Sequence, residues 1–339
     1  MKRYRSTLIM TIGILVMSCI SIFIGAYDVS LDGILQGDFR QVMVMLNSRL
    51  PRLLAILCTG IGMSVAGLIM QNLCMNKFVS PTTGATISSA QLGVVVALLA
   101  VPTANLATRT AFAFGASILG TWVFVWFVQR IKLKDVIMVP LIGIMFNSVI
   151  GGFVSYISYE NDLVQVLSNL LVGDFALILA GRYEIVFLIL PLVVVAFIYA
   201  NHFNIVGMGE NFSKNLGVNY KFVMFMGLSI AAIITASVVV TVGTISYIGL
   251  IVPNIVAMFR GDKIRGSIFD VALFGGLFVL ICDVIGRIVI RPFELPIELI
   301  SGIIGSLVFI VLLFKKLSPA KSKRRVEVLT KNGTGRSCS

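Results

Sequence analysis

Few side chains in this sequence could do covalent or metal chemistry. His202 is the only histidine among 339 residues, and the five cysteines (Cys19, Cys58, Cys74, Cys282 and Cys338) lie far apart. A hydrolytic triad needs a histidine to serve its nucleophile, and a side-chain metal site needs ligands at short, repeated spacings. Neither pattern occurs, so no catalytic residue, no bound metal and no cofactor are expected. A GxxxxGK(S/T) loop, which would cradle nucleotide phosphates, is missing. The run Gly207-Met208-Gly209-Glu210-Asn211-Phe212 opens like a dinucleotide loop. Phe212 stands at its third glycine, however, and an apolar run rather than a strand precedes it.

What remains is charge and amide chemistry at the ends of apolar runs. Asp283 and Arg287 have the i,i+4 spacing of a helical ion pair, and structural pairing is the expected role of Asp283. Arg49, Arg52, Arg287 and Arg291 could form a basic rim that receives an acidic partner. Gln71, Asn76 and Pro81 close a long apolar run. A second run, residues 243–262, is broken by Gly249, Pro253 and Asn254. Broken helices in membranes line a cavity or gate, because the freed backbone groups need protein or water partners. Residues 207–221 carry the helix pair Glu210/Lys214 and a helix-ending Gly217. They read as a short surface helix, a glycine turn and a second short helix. Such a unit is either a solvated loop or a docking helix for a cytoplasmic partner.

The elements that position these residues are membrane spans. The chain is 58% hydrophobic and 12% charged, with a mean hydropathy of +1.01. That composition belongs to polytopic membrane proteins. The net charge of +12 does not point to nucleic acid, since the cations sit in short clusters between apolar runs. Ten spans are expected, at about 8–26, 53–73, 85–101, 110–128, 136–156, 185–200, 222–242, 245–259, 267–289 and 296–314. The first follows Lys2, Arg3 and Arg5 like a signal peptide, but lacks a small-residue cleavage site and is kept as a span. Residues 159–182 are too interrupted to cross and read as interfacial or re-entrant. The transmembrane domain is placed at 1–317, with a cytoplasmic loop at about 202–221. Residues 318–339 are expected to form a basic, disordered tail.

Ten spans put both termini on one side, and cation placement makes that side cytoplasmic: every short inside loop carries Lys or Arg. A re-entrant eighth span would invert the two spans after it. Small residues at Gly60/Ser64, Gly62/Ala66, Gly275/Gly276 and Gly302/Ser306 lie on single helical faces, where they allow close helix approach in lipid.

Taken together, these segments resemble the FecCD family, permease subunits of ABC importers for iron–siderophores, haem and cobalamin. The family's R-(L/I)-P-R is matched by Arg49-Leu50-Pro51-Arg52, and its G-x6-G-x3-Q by Gly60, Gly67 and Gln71. Its N-P-(L/F)-A-x-P is matched by Asn76 to Pro81, its Leu-Gly turn by Leu216-Gly217, and its broken-helix motif by Gly243 to Asn254. Asp283, Arg287 and Glu294-Leu295-Pro296 match its ending. Lys77, Tyr247 and Asn254 depart from the usual proline, phenylalanine and histidine. The run from Asn76 to Thr83 looks like the branch serving catecholate siderophores such as petrobactin, found mostly in Gram-positive bacteria.

The resemblance implies an all-α, BtuC-like type II ABC importer permease in the cell membrane. It implies a second permease subunit, paralogous or identical, two copies of a cytoplasmic ATPase, and a lipid-anchored binding protein outside. Gly209, Glu210, Ser213, Leu216 and Gly217 would dock the ATPase, and Arg49, Arg52, Arg287 and Arg291 the binding protein. Gln71, Asn76, Pro81, Asn147, Gly249, Pro253 and Asn254 would line the path or its gate. Spans two, five, eight and ten would form much of the wall, with Met63, Met70, Met145 and Ser148. Haem or cobalamin is the rival cargo. The rival class is an ion-coupled secondary transporter, which would want intramembrane ionisable groups, and Asp283 is nearly the only one read there. A signalling or scaffold protein would not need so many broken, small-residue helices.

Overall fold

The computed structural model describes residues 2–25, 38–83, 85–103, 105–130, 138–181, 183–260, 264–290, 293–311 and 314. These residues are helical almost throughout. Helix α1 is Lys2–Phe23. Asp38 caps α2, Phe39–Val44, by accepting from the Arg40 amide. One π-helical turn, Met45–Arg49, joins α2 to α3, Leu50–Leu73, so the chain is helical without a break from 39 to 73. There follow α4 (Thr86–Ala100), α5 (Leu106–Arg130), α6 (Met138–Glu160) and the short α7 (Val164–Leu171). A 3-10 turn leads into α8 (Ile189–Ile198), which bends by 62° into α9 (Ala200–Val206). The rest comprises α10 (Glu210–Asn215), α11 (Tyr220–Val242), α12 (Ile248–Arg260), α13 (Ile264–Ile288) and α14 (Ile297–Val311).

Among the described residues, five helical stretches are long and apolar enough to cross a membrane alone, and six if bent α8–α9 counts as one. Four shorter apolar helices, α1, α4, α12 and α14, accompany them. This is a multi-pass membrane protein. The apolar part of α3 is buried almost throughout and forms the axis of the bundle, whereas most of α6 is exposed and lies at its edge.

Glycine explains how α3 can be so enclosed. A Cβ on Gly60 would sit 2.5 Å from the Gly275 carbonyl oxygen of α13, and one on Gly67 would sit 1.9 Å from the Gly249 carbonyl oxygen of α12. Backbones approach here at distances no other residue permits. In lipid, dispersion between close surfaces is what holds helices together.

The structure revises several expectations. The sequence places the start of span two near 53, after a polar approach; the helix in fact starts at Phe39, because Asp38 caps it. Gly302 has no described atom within 4 Å of its would-be Cβ, so close helix approach does not occur at this glycine within the described chain. After Gly217 no second short helix forms: Asn219 accepts from the Phe222 amide at 3.1 Å and starts the long α11 directly. Residues 159–182 do contain a short helix, α7. Its exit pairs with the break before α12 through a parallel bridge between Val172 and Thr244.

Candidate functional site

Two polar clusters stand out, one at each end of α3. The inner one begins with a missing donor. Pro253 lies inside α12 and has no N–H, so the carbonyl of Gly249, four residues earlier, loses its helical partner. The Gln71 amide supplies the replacement: its Nε2 donates to Gly249 O at 3.2 Å and to Leu250 O at 3.1 Å. Asn254 Nδ2 donates to Leu250 O at 2.7 Å and across to Lys77 O at 2.8 Å. Asn76 Oδ1 accepts from the Phe78 amide at 2.9 Å, which fixes the turn that presents Lys77. Pro81 packs against Gly249. The residues predicted at this gate therefore do converge: Gln71, Asn76, Pro81, Gly249, Pro253 and Asn254 form one connected unit joining α3, its exit loop and α12. A cavity of about 50 Å³ beside it is lined by Gln71, Asn72, Lys77, Pro253 and Ser267.

This unit makes a sharp prediction. Gln71→Leu should cost about 1–3 kcal/mol, the usual penalty for leaving a buried acceptor unsatisfied. In a Pro253→Ala background the new N–H can bond Gly249 O, so the cost should shrink. Thermal unfolding of the four purified proteins in detergent checks this; strictly additive shifts would refute the shared-acceptor account.

The outer cluster is where Asp283 sits. Its carboxylate accepts from Arg52 Nη2 at 2.8 Å and from Arg52 Nε at 3.2 Å, and it is also bonded by Arg287. Arg52 Nη1 reaches Glu294 at 2.6 Å. Arg287 Nη1 donates to the carbonyls of Ser21 and Ile24, and Arg49 Nη1 to that of Ile24 at 2.7 Å. The arginines thus cap the carbonyl end of α1, where positive charge is favoured. Structural pairing of Asp283 is what the geometry shows.

The three described arginines of the expected basic rim are buried within the chain. Arg49, Arg52 and Arg287 are 8%, 7% and 3% exposed. The reason is that α1, α3, α13 and the loop before α14 converge there. A buried guanidinium must then be paired within the chain. Arg291 lies outside the described residues, as do Asp28, Asp32, Lys132, Lys134, Lys263 and the tail at 318–339.

The remaining candidates separate. Gly209 (φ 108°) and Gly217 (φ 72°) bracket α10 in left-handed backbone. Glu210 pairs with exposed Lys214 at 2.7 Å, and Ser213 Oγ bonds Gly209 O at 2.8 Å. Leu216 is 55% exposed, and Met208 and Phe212 near it are exposed as well. Asn147 Oδ1 accepts from the Ser88 amide at 3.3 Å and is half-buried, far from the Gln71 unit in the chain and in its contacts. Met145 and Ser148 are exposed on α6. Met63 and Met70 are not on a wall: they are 1% and 6% exposed, enclosed with the rest of α3.

Sequence reasoning missed two acids. Asp270, 2% exposed in α13, accepts from Thr7 Oγ1 at 2.8 Å. It sits six residues into a helix in which the sequence singles out only Asp283. Glu298 carries no role in the sequence pattern, yet it bonds Thr244 and Gly173. Among the described residues, no group of three or more His, Cys, Asp or Glu side chains could hold a metal ion.

The chain can be set beside known proteins. The petrobactin import system permease protein YclN of Bacillus subtilis is 42% identical over 89% of this chain and 96% of that protein. The ferric-anguibactin transport system permease protein FatD of Vibrio anguillarum is 35% identical over 87% and 94%. A solved metal-chelate type ABC transporter in an inward-facing conformation superposes with a TM-score of 0.82 over 92% of this chain and 99% of that one, at 23% identity. The FecCD transport family model matches residues 13–315, which takes in both polar clusters and the α10 segment. This chain belongs to the FecCD transport family.

Proposed function

We propose that this chain is the permease subunit of an ABC importer that carries iron–siderophores, catecholates such as petrobactin among them, across the cell membrane. The observation that carries this is near full-length similarity to permeases whose names specify siderophores, at 42% and 35% identity. The chain works with a second, paralogous or identical permease, two ATPase copies and a lipid-anchored binding protein outside. Ten spans, with α8–α9 as one of them and the four shorter helices completing the set, leave both termini and the 318–339 tail in the cytoplasm.

The α10 segment is the ATPase contact on this reading. Its support is three exposed apolar side chains, Met208, Phe212 and Leu216, standing in a polar segment where solvent alone gives no reason for them. Outside, the binding protein docks over the Arg52 cluster. The support for this is that Arg49, Arg52 and Arg287 gather at that end of α3, a local concentration of positive charge that an acidic surface would complement. Arg291 is proposed as a direct contact. The path runs along α6, with Asn147 beside Met145 and Ser148, and its gate is the Gln71–Asn254 unit. A secondary transporter is not favoured: Asp283 is spent on two arginines and Asp270 is bonded to Thr7.

Uptake in cells lacking the chain tests the reading. Iron is supplied as a catecholate siderophore, a hydroxamate siderophore, haem or a free salt. Selective loss of catecholate–iron uptake, restored by the wild-type gene, is expected; normal uptake of every iron form would move the assignment to cobalamin. Leu216→Arg should leave folding within about 0.5 kcal/mol, as exposed positions do. It should cut uptake about tenfold or more, as losing an interface anchor does. Full rescue by that variant would refute the docking role.

A further inference from the structure

Glu298 does something that neither the family reading nor the two clusters above account for. It lies in the first turn of α14 and joins two stretches of non-helical backbone. Its Oε1 shares the Thr244 hydroxyl, at 2.9 Å, with Leu171 O, also at 2.9 Å, its Oε2 accepts from the Gly173 amide at 3.4 Å, and its own amide donates to Gly173 O at 3.2 Å. The two stretches also hold each other. Thr244 N donates to Leu171 O at 2.8 Å and Asp174 N to Val242 O at 2.9 Å. Their approach depends on glycine: a Cβ on Gly173 would sit 2.0 Å from Thr244 O, and Gly243 has φ 96°. One carboxylate thus ties the exit of α7, the break before α12 and the start of α14.

Three features make this a latch rather than a brace. Glu298 is only half-buried, so water can replace its partners. Between Thr244 and α12 stands Tyr247, with φ 68°, a left-handed backbone that a large aromatic residue adopts only where its surroundings force it. And α12 itself is tied separately, by Gln71 at Gly249 O and Leu250 O in its first turn and by Asn254 to Lys77 O, beside the Gly67–Gly249 contact. The lead of α12 and its first turn are thus held by separate ties, and the lead can move relative to the helix only if the Glu298 tie lets go. Of the two ties, that of Glu298 is the more accessible, and the left-handed Tyr247 stands beside it.

We propose that Glu298 is a positioning residue that latches the non-helical lead of α12 to the α7 exit, and that this latch releases during each transport cycle. The transport cycle is that of the proposed function, on which this part rests; the latch itself does not depend on the cargo.

The test uses the full importer in nanodiscs, with Glu298→Gln, Glu298→Ala and Thr244→Val beside wild type. Hydrogen–deuterium exchange of segments 171–175 and 243–247 should rise about tenfold or more in Glu298→Ala, the size expected for losing a charge-assisted bond. Glu298→Gln, which keeps an acceptor, should rise less, and α11 and α13 should not change. In proteoliposomes of the same importer, catecholate–iron uptake should change in maximal rate, with the KM for loaded binding protein unaltered. Unchanged exchange in either segment for Glu298→Ala would overturn the latch. So would a change in KM alone, which would place Glu298 against the incoming partner. If wild type imports no siderophore, the proposed function fails, but the exchange result still decides the latch.

Discussion

Asp283→Asn should be among the most damaging single substitutions this chain can suffer. The Asp283 side chain is 3% exposed and serves two guanidiniums at once, Arg52 at 8% and Arg287 at 2%. Asparagine keeps the shape but removes the charge. Among the described residues Glu294 would then be the one carboxylate left to the two arginines, and it is Arg52 that it pairs with. Breaking a buried pair from one side costs about 3–5 kcal/mol, because the orphaned charge stays desolvated. Against a typical total of about 5–15 kcal/mol, that is a large share. Thermal unfolding in detergent and the yield of monodisperse protein read it out. Glu294→Gln should cost clearly less, since Glu294 is 21% exposed and water can take its place. If both variants melted with wild type, the cluster would be solvated and the outer arginines would be a free rim after all.

That contrast shows what the sequence could and could not convey. Arginines at the ends of apolar runs were legible, as was the i,i+4 pair of Asp283 and Arg287. Burial was not, because it depends on α1, α3, α13 and the loop before α14 meeting in one place. The bond from Arg52 to Asp283 spans 231 residues of chain. The inner unit was more legible, because its cause is local. Proline within an apolar run forfeits a carbonyl partner wherever it falls, and an amide near the end of another span is a ready donor. Which carbonyl Gln71 would serve still required the fold. Glu298 was invisible as a latch for the same reason as the rim: its partners, Thr244 and Gly173, lie 54 and 125 residues away. Small-residue faces were legible as faces only. Gly60 found Gly275, while Gly302, with the same pattern, found nothing.

Gly67→Ala should be nearly as damaging, through sterics rather than charge. The added Cβ would lie 1.9 Å from the Gly249 carbonyl oxygen and 2.5 Å from Gly249 Cα. These neighbours are backbone, so no rotamer change can make room, and α3 and α12 must move apart. Overpacking of this kind costs about 1–3 kcal/mol by itself. The separation also carries Gln71 away from Gly249 O and Leu250 O, so the penalty of the orphaned acceptor adds to it. Gly302→Ala is the matched control, since its new methyl group meets nothing within 4 Å. In purified protein, Gly67→Ala should lower the melting temperature well below that of Gly302→Ala, and the loss should be smaller when Gln71→Leu is already present. Equal melting of the two alanine variants would mean that α3 and α12 do not touch through Gly67 and Gly249. Since that contact and the Gln71 tie together seat the first turn of α12 on α3, the fixed point against which the Glu298 latch works would fall with it.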